Sequence, residues 1–396
     1  MTAQPLGIAV IGAGMAGKAH ANAYRQAGSL YSSTLPPLRL VSICDLNGQL
    51  AEDAAARFGY ERHDTDWRAI VDDPEIHVVS VVVANFLHRE IVEALLAAGK
   101  HVLCEKPLSD TIEDAEAMAA AAREASSIAR IGLTFRRAPG VAFVRELVQS
   151  GRLGDVLHFS GRYWTDYGAH PDAPISWRYQ GPNGSGALAD VGSHLSYVAE
   201  FICGDIASVS GARLATAITE RPKPLGAVVG HTRGAVSDEM APVENDDYAG
   251  FTAQFANGSG TLEVSRVAVA HPTSLFFEVF GTKGAARWDQ RNFAQVEVAF
   301  HDDPEDVIGY RTVQMGPTHP YVAGGLPIDA PGAGHGQNDQ FVFQARAFLE
   351  EVAGIPESES LPRNASFEEG VRNMRLLDAV VRSHEANGAA VEVPAL

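Results

Sequence analysis

The chain has 396 residues, of which 46% are hydrophobic and 20% charged, a composition typical of a packed globular protein with about two domains. Its 49 acidic and 31 basic side chains leave a formal net charge of −18, which disfavours binding to nucleic acid or to an anionic membrane surface. No apolar run approaches the roughly 20 residues that cross a bilayer. The three cysteines are widely spaced and the N-terminal residues show no signal-peptide pattern, so we predict a cytoplasmic protein.

Short and nearly continuous apolar runs alternate with helical stretches in the first third of the chain. Such runs are typical of buried strands in a parallel sheet that is covered by helices on both faces. The predicted strands are residues 6–11, 38–43, 78–83, 101–104 and 128–134. Thr111 and Asp114 form a capping-box pattern before an alanine-rich helix. We therefore predict a doubly wound α/β domain of the Rossmann type over residues 1–134.

From residue 135 onward the runs alternate between apolar and polar residues, as expected for an antiparallel sheet. Asn257-Gly258 lies between two such runs and predicts a hairpin turn. The predicted strands are 156–164, 206–214, 248–255, 258–266, 274–280 and 295–301, and the predicted helices are 141–150, 338–353 and 366–387. We predict an α+β domain over residues 135–396 with a large, open, mainly antiparallel sheet. The Gly/Pro-rich stretches 220–244 and 316–336 are expected to be mobile loops or loops shaped around a ligand.

A glycine-rich turn follows the first predicted strand. Gly12 permits a tight turn, Gly14 lets the backbone approach a pyrophosphate, and Gly17 allows close packing of helix and strand. The next helix would direct its N-terminus at the phosphates. The alternative is a glycine turn that serves packing alone. The motif residues predicted to bind a dinucleotide are Gly12, Ala13, Gly14, Met15 and Gly17.

Asp45 follows the second predicted strand, where an acidic side chain can accept both adenosine-ribose hydroxyls of NAD. A carboxylate at this place would repel the 2′-phosphate of NADP, and Leu46 and Asn47 provide no arginine to offset the repulsion. The sequence therefore predicts NAD as the cofactor. The alternative is that Asp45 is a solvated turn residue.

The segment Glu105-Lys106-Pro107 at the end of the fourth predicted strand resembles the corresponding strand end of the Gfo/Idh/MocA oxidoreductases. The resemblance extends over the whole chain, and within the family it is strongest to sugar dehydrogenases of the levoglucosan type. The residues that carry the family resemblance include His20, Asn85, His88, Arg136-Arg137, Trp177-Arg178 and the segment 190–194. The closer resemblance to levoglucosan-type enzymes is carried by the segments 176–180, 184–188, 309–312 and 316–321. Two departures are Ala84, where the family usually has proline, and His335, where levoglucosan-type enzymes have tyrosine.

The resemblance implies further cofactor and substrate contacts. His20 is expected to be a helix residue near the cofactor and not a catalyst. Cofactor contacts are implied for Asn85, His88, Glu105, Lys106, Trp177 and Arg178. Contacts with a polyhydroxylated substrate are implied for Lys106, Arg137, Tyr163, Asp166, Arg178, Asp190, His194 and His335. Arg137, Tyr163, Asp166, Arg178 and His335 could equally be structural residues.

Lys106, Asp190 and His194 are the predicted catalytic residues. Asp190 and His194 are four residues apart in a predicted helix, where both side chains can address one small molecule. A neutral imidazole, with a pKa of about 6.5, can accept a hydroxyl proton, and a lysine cation can stabilise an alkoxide by on the order of 3 kcal/mol. The resemblance assigns the general base to His194, whereas the residues alone leave Lys106 open as the proton acceptor. The alternative is a surface Asp–His pair and a solvated lysine.

These features predict an NAD-dependent enzyme that oxidises a secondary hydroxyl of a sugar, anhydrosugar or glycoside, at C3, with inositol as the nearest alternative substrate. Two other classes stay open. One is NAD-assisted glycoside cleavage or elimination without net NADH release, and the other is a non-enzymatic NAD-sensing regulator. No His, Asp or Glu cluster has metal-ligand spacing. The resemblance also implies a homo-oligomer, a dimer or a tetramer, that assembles through the sheet of the second domain.

Overall fold

The computed structural model describes residues 4–181, 186–226 and 234–395. The chain forms two compact units. The first comprises Met1–Arg137, Tyr321–Asp329 and Gly336–Val371, and the second comprises Ala138–Pro320, Ala330–His335 and Arg372–Leu396. Each unit combines segments that are distant in sequence, and the domain boundary between residues 134 and 135 stays a prediction.

The first unit contains a six-stranded parallel sheet. Its strands are β1 (Leu6–Ile11), β2 (Leu38–Cys44), β3 (Arg62–Asp64), β4 (Val78–Val81), β5 (His101–Cys104) and β6 (Ala129–Ile131). The order β3-β2-β1-β4-β5-β6 changes direction between β1 and β4, as in doubly wound dinucleotide-binding folds. This confirms the predicted fold class. The sequence missed β3, because three polar residues give no apolar run, and it made β6 too long, since Thr134–Arg137 form a 3-10 helix.

Five helices connect these strands. They are α1 (Met15–Ala27), α2 (Gly48–Phe58), α3 (Arg68–Asp72), α4 (His88–Ala97) and α5 (Ile112–Glu124). The predicted cap of α5 is confirmed, because Thr111 Oγ1 accepts a hydrogen bond of 3.1 Å from Asp114 N. Ile8 and Val10 of β1 and Tyr24 of α1 are completely buried in the core of this unit. The apolar strand residues therefore fix the sheet against its helices.

The second unit contains a nine-stranded sheet and a separate two-stranded ribbon. In chain order its elements are α6 (Pro139–Gln149), β7 (Val156–Trp164), α7 (Ser193–Cys203), β8 (Ile206–Ala215), β9 (Glu220–Pro224), β10 (Val236–Pro242), β11 (Tyr248–Phe255), β12 (Ser259–Ser265), β13 (Ser274–Gly281), β14 (Gly284–Asp289), β15 (Gln295–Phe300) and β16 (Arg311–Gln314). The chain ends with α8 (Gln337–Val352), which belongs to the first unit, α9 (Phe367–Glu385) and β17 (Val391–Glu392).

The strand order of this sheet is β16-β15-β14-β13-β7-β12-β11-β8-β17. Its pairs are antiparallel except for β12 with β7, so the prediction of a mainly antiparallel sheet is confirmed. The predicted hairpin joins β11 to β12, and Gly258 adopts a φ of +84° there. Along β7, Phe159 and Tyr163 are buried, whereas Ser160 and Arg162 between them lie on the opposite, more accessible face.

The structure corrects one predicted loop. The stretch 220–244 contains β9 and β10, which pair as an antiparallel two-stranded ribbon. Three prolines in these strands conceal the ribbon from a propensity argument, since proline is unfavourable in most strand positions. Residues 227–233 of this stretch, and Gly184 and Ser185 of the segment 184–188, lie outside the described residues.

The described helices include none that is both long and apolar enough to cross a bilayer. In residues 4–181, 186–226 and 234–395, no group of three His, Cys, Asp or Glu side chains is arranged to hold a metal ion.

Candidate active site

Four predicted site residues lie at one edge of the parallel sheet. The last residues of β2, β1, β4 and β5 are neighbours in the register, as Cys44 pairs with Ile11, Ile11 with Val81, and Val81 with Cys104. The segments that follow these strands carry Gly12, Asp45, Asn85 and Lys106. Ligands of open α/β sheets bind at this carboxyl edge, at the point where the strand order reverses.

The glycine turn distinguishes residues that the protein itself requires from one that leaves room for a ligand. Gly12 has a φ of +108°, and an added Cβ would lie 2.0 Å from Val82 O. A Cβ at Gly17 would lie 1.9 Å from Gly12 O. At Gly14, which begins α1, an added Cβ would meet no described atom within 4 Å. Gly12 and Gly17 therefore serve the fold, whereas the space at Gly14 fits the close approach of a pyrophosphate.

Asp45 is fixed against this turn by two backbone groups. Its Oδ2 accepts a hydrogen bond of 2.8 Å from Ala13 N, and its Oδ1 accepts one of 2.9 Å from Asn47 N. Each carboxylate oxygen can accept a second hydrogen bond, so the same side chain can bind a ribose hydroxyl. Two apolar side chains near the turn are strongly exposed, Met15 at 75% and Leu46 at 86%. This surface suits an aromatic ligand such as adenine.

Asn85 carries a second indication of a ligand. The residue is 5% exposed, and its Nδ2 has no hydrogen-bond partner in the part of the chain that the structure describes. A buried donor without a partner is unfavourable by about 1–3 kcal/mol, so this amide fits a site that a cofactor completes.

His88 connects two loops at this edge of the sheet. Its Nδ1 lies 3.1 Å from Leu108 O and its Nε2 lies 3.2 Å from Val83 O. Burial lowers the pKa of His88, which favours the neutral ring. Both contacts are with the backbone, and the predicted contact of His88 with the cofactor stays a prediction.

Lys106 follows a buried chain of polar side chains. His20 Nε2 lies 2.9 Å from Glu105 Oε1, and His20 Nδ1 lies 3.0 Å from Ser80 Oγ, which in turn lies 2.9 Å from Tyr24 OH. Lys106 N donates to Glu105 Oε2 at 3.2 Å. The Lys106–Pro107 peptide bond is cis. This series of hydrogen-bonded side chains, from Tyr24 to Glu105, therefore connects α1 and β4 to the backbone of the predicted catalytic lysine.

We expect His20→Ala to lower the free energy of unfolding by about 3 kcal/mol, because the buried Glu105 carboxylate loses its imidazole partner. The measurement is urea unfolding of the full chain. His63→Ala, which removes an exposed histidine of β3, is the matched control and should stay within about 0.5 kcal/mol of the wild type. Equal unfolding midpoints for the two variants would contradict the structural role of His20.

In the second unit, His194 lies in the first turn of α7, and Asp190 lies in the turn that precedes it. Leu188–Gly192 form a π-helical turn before α7, which corrects the regular α-helical spacing that the sequence predicts. The predicted apolar stripe of this segment is buried. Its residues are Leu188, Val191, Leu195, Val198 and Ile202. Wide turns of this kind are frequent at functional sites.

Asp246 caps this wide turn. Its Oδ2 accepts a hydrogen bond of 2.7 Å from Leu188 N, and its carbonyl oxygen accepts one of 2.9 Å from Ala187 N. A Cβ at Gly186 would lie 1.9 Å from Asp246 Oδ1, so only glycine fits there. Burial raises the pKa of Asp246. Sequence reasoning missed this residue, since it is distant along the chain and belongs to no motif.

A tyrosine lies next to each of these two residues, Tyr163 beside His194 and Tyr167 beside Asp190. The ring of Tyr163, on β7, lies 6.1 Å from the ring of His194, centroid to centroid. Tyr167 OH lies 2.8 Å from Asp190 Oδ2. Burial raises the pKa of both phenols, and the charge of Asp190 raises each further, so both remain protonated donors. The sequence missed Tyr167, because it lies beyond the end of β7, where strand alternation no longer indicates the direction of a side chain.

A buried ion pair holds the loop that carries Tyr167. Arg266 Nε lies 2.7 Å from Asp247 Oδ1, and both side chains are fully buried. The carbonyl oxygen of Arg266 accepts a hydrogen bond of 2.8 Å from Gly168 N. The Nη1 of the same arginine donates to Arg178 O at 3.1 Å. The segment from Tyr167 to Arg178 is therefore anchored at both ends to the same arginine.

The other predicted substrate and cofactor residues have these surroundings. Arg137, in the first unit, is fully buried, and its Nε donates to Asn364 Oδ1 at 3.1 Å. In the second unit Trp177 is 42% exposed, with the Arg178 guanidinium 4.5 Å from its ring centroid. The carbonyl of Asp166 accepts from Ala169 N at 2.9 Å, and the His335 ring meets Phe293 at 5.7 Å. Their contacts with cofactor or substrate stay predictions.

Two family models match the chain. An oxidoreductase family with an NAD-binding Rossmann fold matches residues 6–133, and a GFO/IDH/MocA C-terminal domain matches residues 141–287. Levoglucosan dehydrogenase of Pseudarthrobacter phenanthrenivorans is 37% identical over 396 residues, which cover 99% of each chain. D-glucoside 3-dehydrogenase of Escherichia coli is 32% identical over 205 residues, 52% of this chain and 56% of that protein.

Solved structures agree with these matches. A levoglucosan dehydrogenase in complex with NADH and levoglucosan has a TM-score of 0.88 at 34% identity, and the match covers 99% of this chain and 100% of that one. An oxidoreductase domain protein from Kribbella flavida also has a TM-score of 0.88, at 35% identity and the same coverage.

Proposed function

Because the chain belongs to the Gfo/Idh/MocA family of NAD-dependent oxidoreductases, we propose that it oxidises a secondary hydroxyl of a sugar or anhydrosugar, at C3, to the keto sugar. The observation that carries the proposal is the group formed by Asp190, His194, Tyr163 and Tyr167, in which a carboxylate and an imidazole that can bind a polyhydroxylated molecule lie beside two phenols. The similarity to levoglucosan dehydrogenase supports an anhydrosugar or a glucoside as the substrate.

The chemistry requires a hydride acceptor and a proton acceptor. NAD+, when bound along Gly14, Asp45 and Asn85, supplies the hydride acceptor. His194 accepts the proton of the reacting hydroxyl, and the Lys106 ammonium stabilises the alkoxide as it develops. Asp190 accepts a hydrogen bond from a neighbouring hydroxyl of the substrate. These side chains therefore act on the oxygen atoms of the sugar, while the carbon loses its hydride.

The Asp45 carboxylate is expected to determine the choice between NAD+ and NADP+. Asp45→Asn keeps an acceptor for Asn47 N but removes the charge and the acceptor for Ala13 N, so we expect the Kd for NAD+ to rise at least about tenfold, the value of one hydrogen bond to a charged group. The Kd for NADP+ should fall, since the 2′-phosphate is no longer repelled. Isothermal titration calorimetry with NAD+ and with NADP+ measures both constants. An unchanged ratio of the two would contradict a contact between Asp45 and the adenosine ribose.

An NAD+ reduction screen with levoglucosan, glucose, glucosides and inositols tests the proposed function. We expect NADH formation with levoglucosan or a glucoside, a 3-keto product by NMR, and loss of turnover in His194→Ala. Turnover of inositols alone would identify an inositol dehydrogenase. Cleavage of a glycoside without net NADH would indicate elimination chemistry, and NAD binding without turnover of any polyol would indicate a regulator.

We also propose a cytoplasmic homo-oligomer, a dimer or tetramer that forms through the face of the nine-stranded sheet opposite α6 and α7. That face presents polar and aromatic side chains together, including Arg162, Tyr248, Glu263 and Phe276. Such mixtures are common at protein interfaces. The three cysteines are free, as expected in a reducing compartment. Light scattering after gel filtration gives the subunit number, and a monomer would contradict the assembly.

A further inference from the structure

We propose that Tyr167 is a positioning residue of this enzyme, which holds the Asp190 carboxylate in the orientation that accepts a hydrogen bond from the substrate. The inference rests on the proposed sugar oxidation and assigns a role to a residue that no motif of the sequence marks. It is carried by the hydrogen bond of 2.8 Å between Tyr167 OH and Asp190 Oδ2.

The direction of this hydrogen bond follows from the chemistry of the two groups. A carboxylate is an acceptor only, so the phenol must donate. The groups that bear on Tyr167 are Asp190 on the wide turn, Arg266 after β12 and Arg178 on the loop, and burial raises the pKa of the phenol despite the two arginines. Tyr167 therefore remains a donor wherever Asp190 is ionised.

Asp190 lies on the π-helical turn that precedes α7. The side chains of this turn do not follow the spacing of a regular α-helix, and the hydrogen bond from the phenol acts directly on the Asp190 carboxylate. Tyr167 occupies one carboxylate oxygen and fixes the plane of the group. A substrate hydroxyl can then donate to a carboxylate that is already oriented, which avoids ordering the side chain during binding.

Tyr167 itself is held rigidly. Gly168 N, next in the chain, donates to Arg266 O at 2.8 Å, and a Cβ at Gly168 would lie 2.9 Å from that oxygen. Arg266 is fixed by its buried pair with Asp247, and Asp247 Oδ2 also accepts hydrogen bonds of 2.8 Å from Ala217 N and Ile218 N. The Tyr167 phenol therefore connects this buried cluster to Asp190.

A double-mutant cycle in kcat/KM for the sugar tests the proposal. Tyr167→Phe keeps the ring and removes only the hydroxyl, and we expect it to lower kcat/KM about tenfold with an unchanged Kd for NADH. In an Asp190→Ala background the same substitution should change kcat/KM less than twofold, since the group that Tyr167 positions is gone. Tyr60→Phe is the control, because it removes a buried hydroxyl that has no partner in the described chain.

Each other outcome has a definite meaning. Equal losses from Tyr167→Phe in the wild-type and Asp190→Ala backgrounds would overturn the inference, since Tyr167 would then act independently of Asp190. A Tyr167→Phe chain that unfolds in a thermal melt, while Tyr60→Phe does not, would assign a structural role instead and also overturn it. If the wild-type chain oxidises no sugar, the proposed function itself fails, and that result is visible before any variant is measured.

Discussion

Lys106→Met is expected to lower kcat for sugar oxidation at least about 100-fold, while the fold and the affinity for NADH stay near those of the wild type. Methionine keeps the length of the side chain but removes the cation that stabilises the alkoxide. The backbone N–H of residue 106 still donates to Glu105, so the turn keeps its anchor. Steady-state kinetics and NADH titration measure the two effects separately.

Lys283→Met is the matched control for this substitution. Lys283 is exposed in the turn between β13 and β14, so its replacement should leave kcat unchanged. A Lys106→Met enzyme with more than one tenth of the wild-type kcat would contradict the assignment of Lys106 as the group that stabilises the alkoxide.

Alanine substitutions at Gly17 and Gly14 are expected to affect different properties, since the first should lower stability and the second should weaken cofactor binding. The Cβ of Gly17→Ala would lie 1.9 Å from a backbone oxygen that cannot move away cheaply, so the free energy of unfolding should fall by at least about 3 kcal/mol. The Cβ of Gly14→Ala enters open space, so stability without cofactor should change by no more than about 1 kcal/mol. The NADH affinity of Gly14→Ala should nevertheless fall, because the Cβ occupies the space that the pyrophosphate requires.

Urea unfolding without cofactor and NADH titration distinguish the two glycines. A Gly14→Ala chain that binds NADH as tightly as the wild type would show that the dinucleotide does not approach this glycine. A stable Gly17→Ala chain would show that α1 can move away from β1, against the close packing that the structure shows.

The sequence predicted the strands well where apolar residues recur with a clear pattern. The predicted bounds of β1, β5 and β7 agree with the structure, because continuous or alternating apolar runs define them. The glycine turn was predictable for the same local reason, since strand, glycines and helix follow each other within one short segment. Which glycine leaves room for a ligand and which glycines serve packing could be decided only from the space around each of them.

The features that were missed depend on contacts between distant segments. The π-helical turn at Asp190 is capped by Asp246, and neither residue type nor spacing in the local sequence indicates that cap. His20 lies in a helix, as predicted, but its contacts with Ser80 and Glu105 could not be predicted because these residues are distant along the chain. Tyr167 lies in an irregular loop, so its contact with Asp190 required coordinates. Local patterns therefore predict which elements form, whereas tertiary contacts decide which polar groups meet.

Transfer of deuterium from C3 of the sugar to the nicotinamide is the sharpest test of oxidation at this carbon. Levoglucosan deuterated at C3 is incubated with the enzyme and NAD+, and the NADH formed is analysed by mass spectrometry. We expect one deuterium in the NADH and a 3-keto sugar as the product, with both lost in His194→Ala. NADH without the label, or consumption of the sugar with no NADH at all, would contradict oxidation at C3.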